Sequence, residues 1–114
     1  MRKKVKMRES SVDRKLKQAV QKRGCLYYKF ASPGNNGVPD RIILTPSGGV
    51  LFVELKQDRG KLSPSQKVQI AKIRRHGQRV LVVHGTKELP GVLQIVDDLE
   101  KREFNYMIFG REVR

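Results

Sequence analysis

Val50-Leu51-Phe52-Val53-Glu54-Leu55-Lys56 has the two-residue period of a strand, with Leu51, Val53 and Leu55 on one face and Phe52, Glu54 and Lys56 on the other. Upstream, Asp40 to Leu44 reads as a second strand. Thr45-Pro46-Ser47-Gly48-Gly49 joins the two at hairpin length, so they should pair antiparallel. Asp40 follows Pro39, whose fixed φ keeps the chain extended there. Two carboxylates and an ammonium, Asp40, Glu54 and Lys56, are therefore expected at one end of a hairpin.

Working outward, Leu26 to Phe30 is a short aromatic-rich strand, and Ala31 to Val38 is a loop dense in Pro33, Gly34, Asn35, Asn36 and Gly37. Before them, Val12, Leu16, Ala19 and Val20 recur at helical spacing between Ser10 or Ser11 as N-cap and Gly24 as stop. After the hairpin, Ser63-Pro64-Ser65-Gln66 carries an N-cap, a first-turn proline and a capping-box glutamine. It opens a helix with Val68, Ile70, Ala71 and Ile73 on its apolar side, ended by Gly77. Val80 to Val83 is a buried strand, Pro90 to Arg102 a third helix, and Tyr106 to Phe109 an edge strand or an association surface. The order helix, three strands, helix, strand, helix describes an α/β domain with a mixed central sheet.

At 114 residues the chain is one domain with one core: a basic arm over residues 1–8, then a single unit over 9–114. Its 25 Lys and Arg against 11 Asp and Glu give +14, a balance that suits a polyanionic partner without separating binding from catalysis. Arg2, Lys3, Lys4, Lys6 and Arg8 precede no apolar run of a signal sequence, nothing approaches a membrane span, and a single Cys25 forms no internal disulfide. An intracellular, cytoplasmic protein is expected. The Gly34 to Gly37 loop lacks the Gly-Lys-Ser/Thr ending of a phosphate-binding loop, so no nucleotide cofactor is indicated. His76 and His84 stand without the cysteines of a zinc pattern and read as structural.

Phosphodiester hydrolysis needs a hard divalent cation, an oriented water and a positive charge on the phosphorane. Asp40 and Glu54 offer oxygen ligands for Mg²⁺ or Mn²⁺, with the Leu55 carbonyl as a third, and Lys56 offers the positive charge. Glu-x-Lys alone would more readily be an exposed ion-pair ladder. Pro39-Asp40 followed by Glu54-Leu55-Lys56, however, resembles the PD-(D/E)XK nuclease superfamily.

Lys29 to Gly34, Gly37-Val38-Pro39-Asp40-Arg41-Ile42, Phe52 to Lys56 and Lys61-Leu62-Ser63-Pro64 with Gln66 more closely resemble the virus-type replication-repair nuclease (VRR-NUC) domain in its stand-alone form, from about Glu9 to His84. The resemblance implies a restriction-endonuclease-like core with a mixed sheet flanked by helices. It implies metal binding by Asp40 and Glu54, catalysis by Lys56, an active-site role for Gln66 and an acidic residue on the first helix. Gln66 is also an ordinary capping-box partner, and both roles stay open. For the helix acid, Asp13 is favoured by motif position and Glu9 is second. The family has glutamate there, so aspartate is a departure, and either residue also suits a helix N-terminus as a dipole partner.

The expected function is a structure-selective DNA endonuclease acting on branched or four-way (Holliday) junction DNA, in a DNA-repair or phage setting. Symmetric junction cutting would need a homodimer, for which Tyr106, Ile108 and Phe109 are candidate interface residues. The alternatives are a flap-directed or sequence-specific nuclease of the same superfamily, and a non-catalytic basic nucleic-acid-binding protein.

Overall fold

A computed structural model describes residues 10–109, with side chains to Arg102. Three helices and four strands follow in the order α1 (Ser11–Lys22), β1 (Leu26–Lys29), β2 (Arg41–Leu44), β3 (Val50–Lys56), α2 (Pro64–Arg75), β4 (Arg79–His84) and α3 (Leu89–Phe109), with a 3₁₀ turn at Thr86–Glu88. The strands form one sheet in the order β1-β2-β3-β4. β1 and β2, and β2 and β3, pair antiparallel, while β3 and β4 run parallel through the α2 crossover, so the sheet is mixed as expected.

The apolar face of the sheet, Tyr27, Ile43, Leu51, Val53 and Val83, packs against Val12, Leu16 and Val20 of α1 and Leu89, Val92, Val96 and Leu99 of α3. Leu16, Val20, Ile43, Leu51 and Val53 lose all contact with solvent. Side-chain bonds secure the layer. Arg23 at the end of α1 pairs with Asp97 of α3 at 2.7 Å, and Ser47 in the β2–β3 turn donates to Glu100 at 2.7 Å.

The opposite face carries α2, which lies toward β4 and uses a narrow contact line. Ile70 is buried there, yet Val68 is 54% exposed and Ala71 is exposed too, so the apolar side expected of this helix is only half used. Ser63 accepts from the Gln66 N–H at 3.2 Å, and the Gln66 side chain accepts in turn from the Ser63 N–H at 2.9 Å: the capping box forms. Ser10 caps α1 by accepting from the Asp13 N–H.

One element differs in kind from its expectation. Tyr106 to Phe109 is no edge strand but the end of α3. Nothing between Glu100 and Phe109 breaks a helix, the first glycine being Gly110, so the helix runs on. The side chains of Tyr106, Ile108 and Phe109, the basic arm and Glu9 lie outside the described residues.

Candidate active site

β2 and β3 position the charged groups. Arg41 pairs with Val53 in the antiparallel register, and extending the ladder by one step puts Asp40 opposite Glu54. Because Glu54 alternates away from the core face, it turns toward the start of α2, where Gln66 Nε2 donates to its Oε2 at 3.0 Å. Lys56 Nζ lies 3.7 Å from the same oxygen. Asp40 Oδ1 accepts from the Leu55 N–H at 3.2 Å. Asp40, Glu54, Leu55, Lys56 and Gln66 thus meet at one end of the sheet. Gln66 serves as cap through Oε1 and as partner of Glu54 through Nε2.

Glu54 is 4% exposed, which sets it apart from the carboxylates of a surface ion-pair ladder. Burial raises its carboxyl above the ordinary value, the nearby Asp40 charge adds to the rise, and Lys56 opposes it. Asp40 is likewise raised, first by burial, with the Leu55 N–H and Arg41 pulling the other way. Two adjacent carboxylates whose charged forms are disfavoured by burial form a donor set that a hard cation would relieve.

In the bonds described above one oxygen of Glu54 is engaged by Gln66 and Lys56, and one of Asp40 by the Leu55 N–H. Among the described residues no three His, Cys, Asp or Glu side chains gather around a single point. The protein would therefore supply two carboxylates and a main-chain carbonyl, the remainder being water, which is how Mg²⁺ is commonly held. Asp40, Leu55 and Lys56 line a cleft of about 880 Å³, together with Asp13, Lys29, Arg41 and the loop over Gln57, Asp58 and Arg59.

Asp13 of α1 reaches this cleft in a committed state. Its Oδ1 accepts from Tyr27 Oη at 2.6 Å and Arg41 Nε at 3.0 Å, and its Oδ2 accepts from Arg41 Nη2 at 2.6 Å. Burial alone would raise the Asp13 carboxyl, but the Arg41 and Tyr27 hydrogen bonds outweigh it and hold the group below its ordinary value. Arg41 is spent on Asp13 and on the Asp40 carbonyl, to which Nη1 donates at 2.8 Å.

Sequence reasoning did not find this network. Its one legible sign is that Asp13 precedes Leu16 and Val20 at helical spacing and so falls on the buried face, where an acid needs a partner. Gly37 was likewise read only as a turn residue. It adopts φ +94° and packs so tightly on the Ser65–Gln66 peptide that a Cβ there would overlap it. His84 and His76 bond main-chain carbonyls, of Gly60 and Lys72, in keeping with structural roles.

A mixed four-stranded sheet between helices, with Asp40 facing Glu54-x-Lys56 across a hairpin, defines a restriction-endonuclease-like α/β domain. Residues 5–87 match the VRR-NUC domain model, and the chain belongs to that nuclease family. It is 37% identical over 91 residues to a protein named "Putative nuclease p44" from Acyrthosiphon pisum secondary endosymbiont phage 1, covering 80% of this chain and 97% of that one. A solved VRR-NUC domain superposes with a TM-score of 0.69 at 28% identity, covering 73% of this chain and 90% of the other. A second, a VRR-NUC domain protein at 17% identity, shares the fold with a TM-score of 0.55 over 81% of this chain and 93% of its own.

Proposed function

We propose that this nuclease is a metal-dependent endodeoxyribonuclease that hydrolyses phosphodiester bonds in branched DNA, four-way junctions foremost, acting as a homodimer. The observation that carries the chemistry is the convergence of buried Glu54 with Asp40 and Lys56 at the end of the β2–β3 hairpin. A bound Mg²⁺ or Mn²⁺ would supply Lewis acidity and lower the pKa of a coordinated water. Asp40 and Glu54 would hold that ion, with the Leu55 carbonyl beside them.

The chain's own groups do the remaining work. Lys56 sits beside Glu54, where its ammonium faces the negative charge that builds on the phosphorane oxygens. Gln66 fixes the Glu54 carboxylate from the first turn of α2, so its second oxygen keeps one direction. Lys29 and Arg59 line the cleft and would contact phosphates flanking the scissile bond. The excess of positive charge adds affinity for any nucleic acid.

The preference for branched DNA rests on the likeness to the stand-alone VRR-NUC form. The dimer rests on the arithmetic of cutting: one site breaks one strand, so paired cuts across a junction require two sites related by a two-fold axis. Incubation with labelled four-way junction, flap and linear duplex in EDTA, Mg²⁺ or Mn²⁺ tests the reading. Paired nicks on the junction only with metal are expected, and binding without cleavage under every condition would refute it.

A further inference from the structure

The acid of α1 raises a question of role. Asp13 is 2% exposed, and both of its oxygens are already taken by short hydrogen bonds from Tyr27 and Arg41. A carboxylate paired two-pronged with a guanidinium has spent its charge on it, and a cation sharing that carboxylate would stand against Arg41 at close range.

The third arm of Arg41 points elsewhere. Nη1 donates to the Asp40 carbonyl at 2.8 Å, and the Phe30 N–H donates to the same oxygen at 2.9 Å. Buried Pro39 lies on one side of the Asp40 main chain, and the Leu55 N–H holds its side chain through Oδ1.

We infer that Asp13 is a positioning residue: with Tyr27 it locks Arg41, and Arg41 fixes the main chain of Asp40, so that helix α1 aims a carboxylate it does not touch. The inference rests on the metal-site reading of Asp40 and Glu54. Lys29, Arg41, Tyr27 and Asp40 are the charged or titratable groups that face Asp13 from the sheet. Its chemistry is thus that of an outer layer around a metal carboxylate, where replacement typically weakens metal binding about 10- to 100-fold.

The test is Mn²⁺ binding to the metal-free protein by titration calorimetry, without DNA, on wild type, Asp40→Asn, Asp13→Asn, Arg41→Gln and the Asp13→Asn/Arg41→Gln double variant. Thermal unfolding confirms that each is folded. The expected result is about a tenfold or greater loss for Asp13→Asn alone, and about twofold or less when Arg41 is already replaced, because the two act through one path. Equal losses in both backgrounds would make Asp13 a direct ligand and overturn the inference.

Tyr27→Phe removes a hydroxyl and no charge, and decides the matter if the Arg41 variant does not fold. About a tenfold weaker Mn²⁺ affinity supports the network, and unchanged affinity overturns it. An Asp40→Asn variant that binds Mn²⁺ as well as wild type would bring down the metal site itself, and the inference with it. Loss in Asp40→Asn beside additive Asp13 and Arg41 effects would remove the inference alone.

Discussion

Asp40 and Glu54 are costly to keep charged. Both carboxyls are raised by burial, so the fold favours their neutral forms, and the stability they contribute is present at low pH and lost as pH rises through the raised values. Glu54→Gln should therefore leave the metal-free protein as stable as wild type or more so at neutral pH, by up to about 1 kcal/mol in urea unfolding, while abolishing cleavage. The same shifts predict that Mn²⁺ affinity climbs with pH across the upper carboxylate range, as measured by calorimetry at a series of pH values. Asp13 behaves in the opposite sense: its carboxyl is depressed, and its contribution is lost as pH falls through that lowered value. Asp13→Asn, which leaves the partly buried Arg41 without its counter-ion, should destabilise by about 1–3 kcal/mol in urea unfolding. Asp40, Glu54 and Lys56 were legible because strand alternation and one proline suffice to bring them together. The Asp13–Arg41–Tyr27 network was not, since it joins three elements distant in sequence, and no local pattern tells which cation an acid on a buried helix face will find.

Helix α2 illustrates both what local sequence specifies and what it does not. Ser63, Pro64 and Gln66 place its first residue without ambiguity, and the capping box forms as the residue types require. Ser63→Ala should cost about 1 kcal/mol of stability while the Gln66–Glu54 bond persists, leaving cleavage within a few-fold of wild type. Gly37→Ala attacks the same helix from outside, meeting the Ser65–Gln66 peptide at a positive φ. It should destabilise by about 1–3 kcal/mol and shift Gln66, so that unfolding and cleavage assays both report a loss. The apolar spacing of Val68, Ile70, Ala71 and Ile73 overstated how much of α2 is covered, because periodicity gives a face and not the width of the surface it meets. The length of α3 was hidden for a related reason: a run ending in Tyr106-Met107-Ile108-Phe109 is as apolar as a strand, and only the absence of an earlier helix stop distinguishes the two.

Across the whole molecule, a sheet covered by α1 and α3 on one side and by α2 on the other leaves the end of β2 and β3 open, and the site sits at that opening. The mixed order of the strands followed from the hairpin and the single helix crossover, both visible in the chain. The proposed homodimer rests on the need for two sites alone, because an association surface depends on a partner that the sequence of one chain does not describe. Sedimentation at micromolar concentration should show a dimer, and monomer alone, with and without junction DNA, would count against paired cutting. Binding should weaken steeply between about 50 and 200 mM salt in proportion to the phosphates contacted. The most direct test of the central claim is single-turnover cleavage of a labelled four-way junction by wild type, Glu54→Gln and Lys56→Ala in Mg²⁺, with EDTA as control. We expect junction cleavage by wild type in Mg²⁺ alone, and loss of at least about 100-fold in each variant with junction binding retained. Cleavage that survives EDTA, or that persists in Glu54→Gln, would contradict a metal centre built on Asp40 and Glu54.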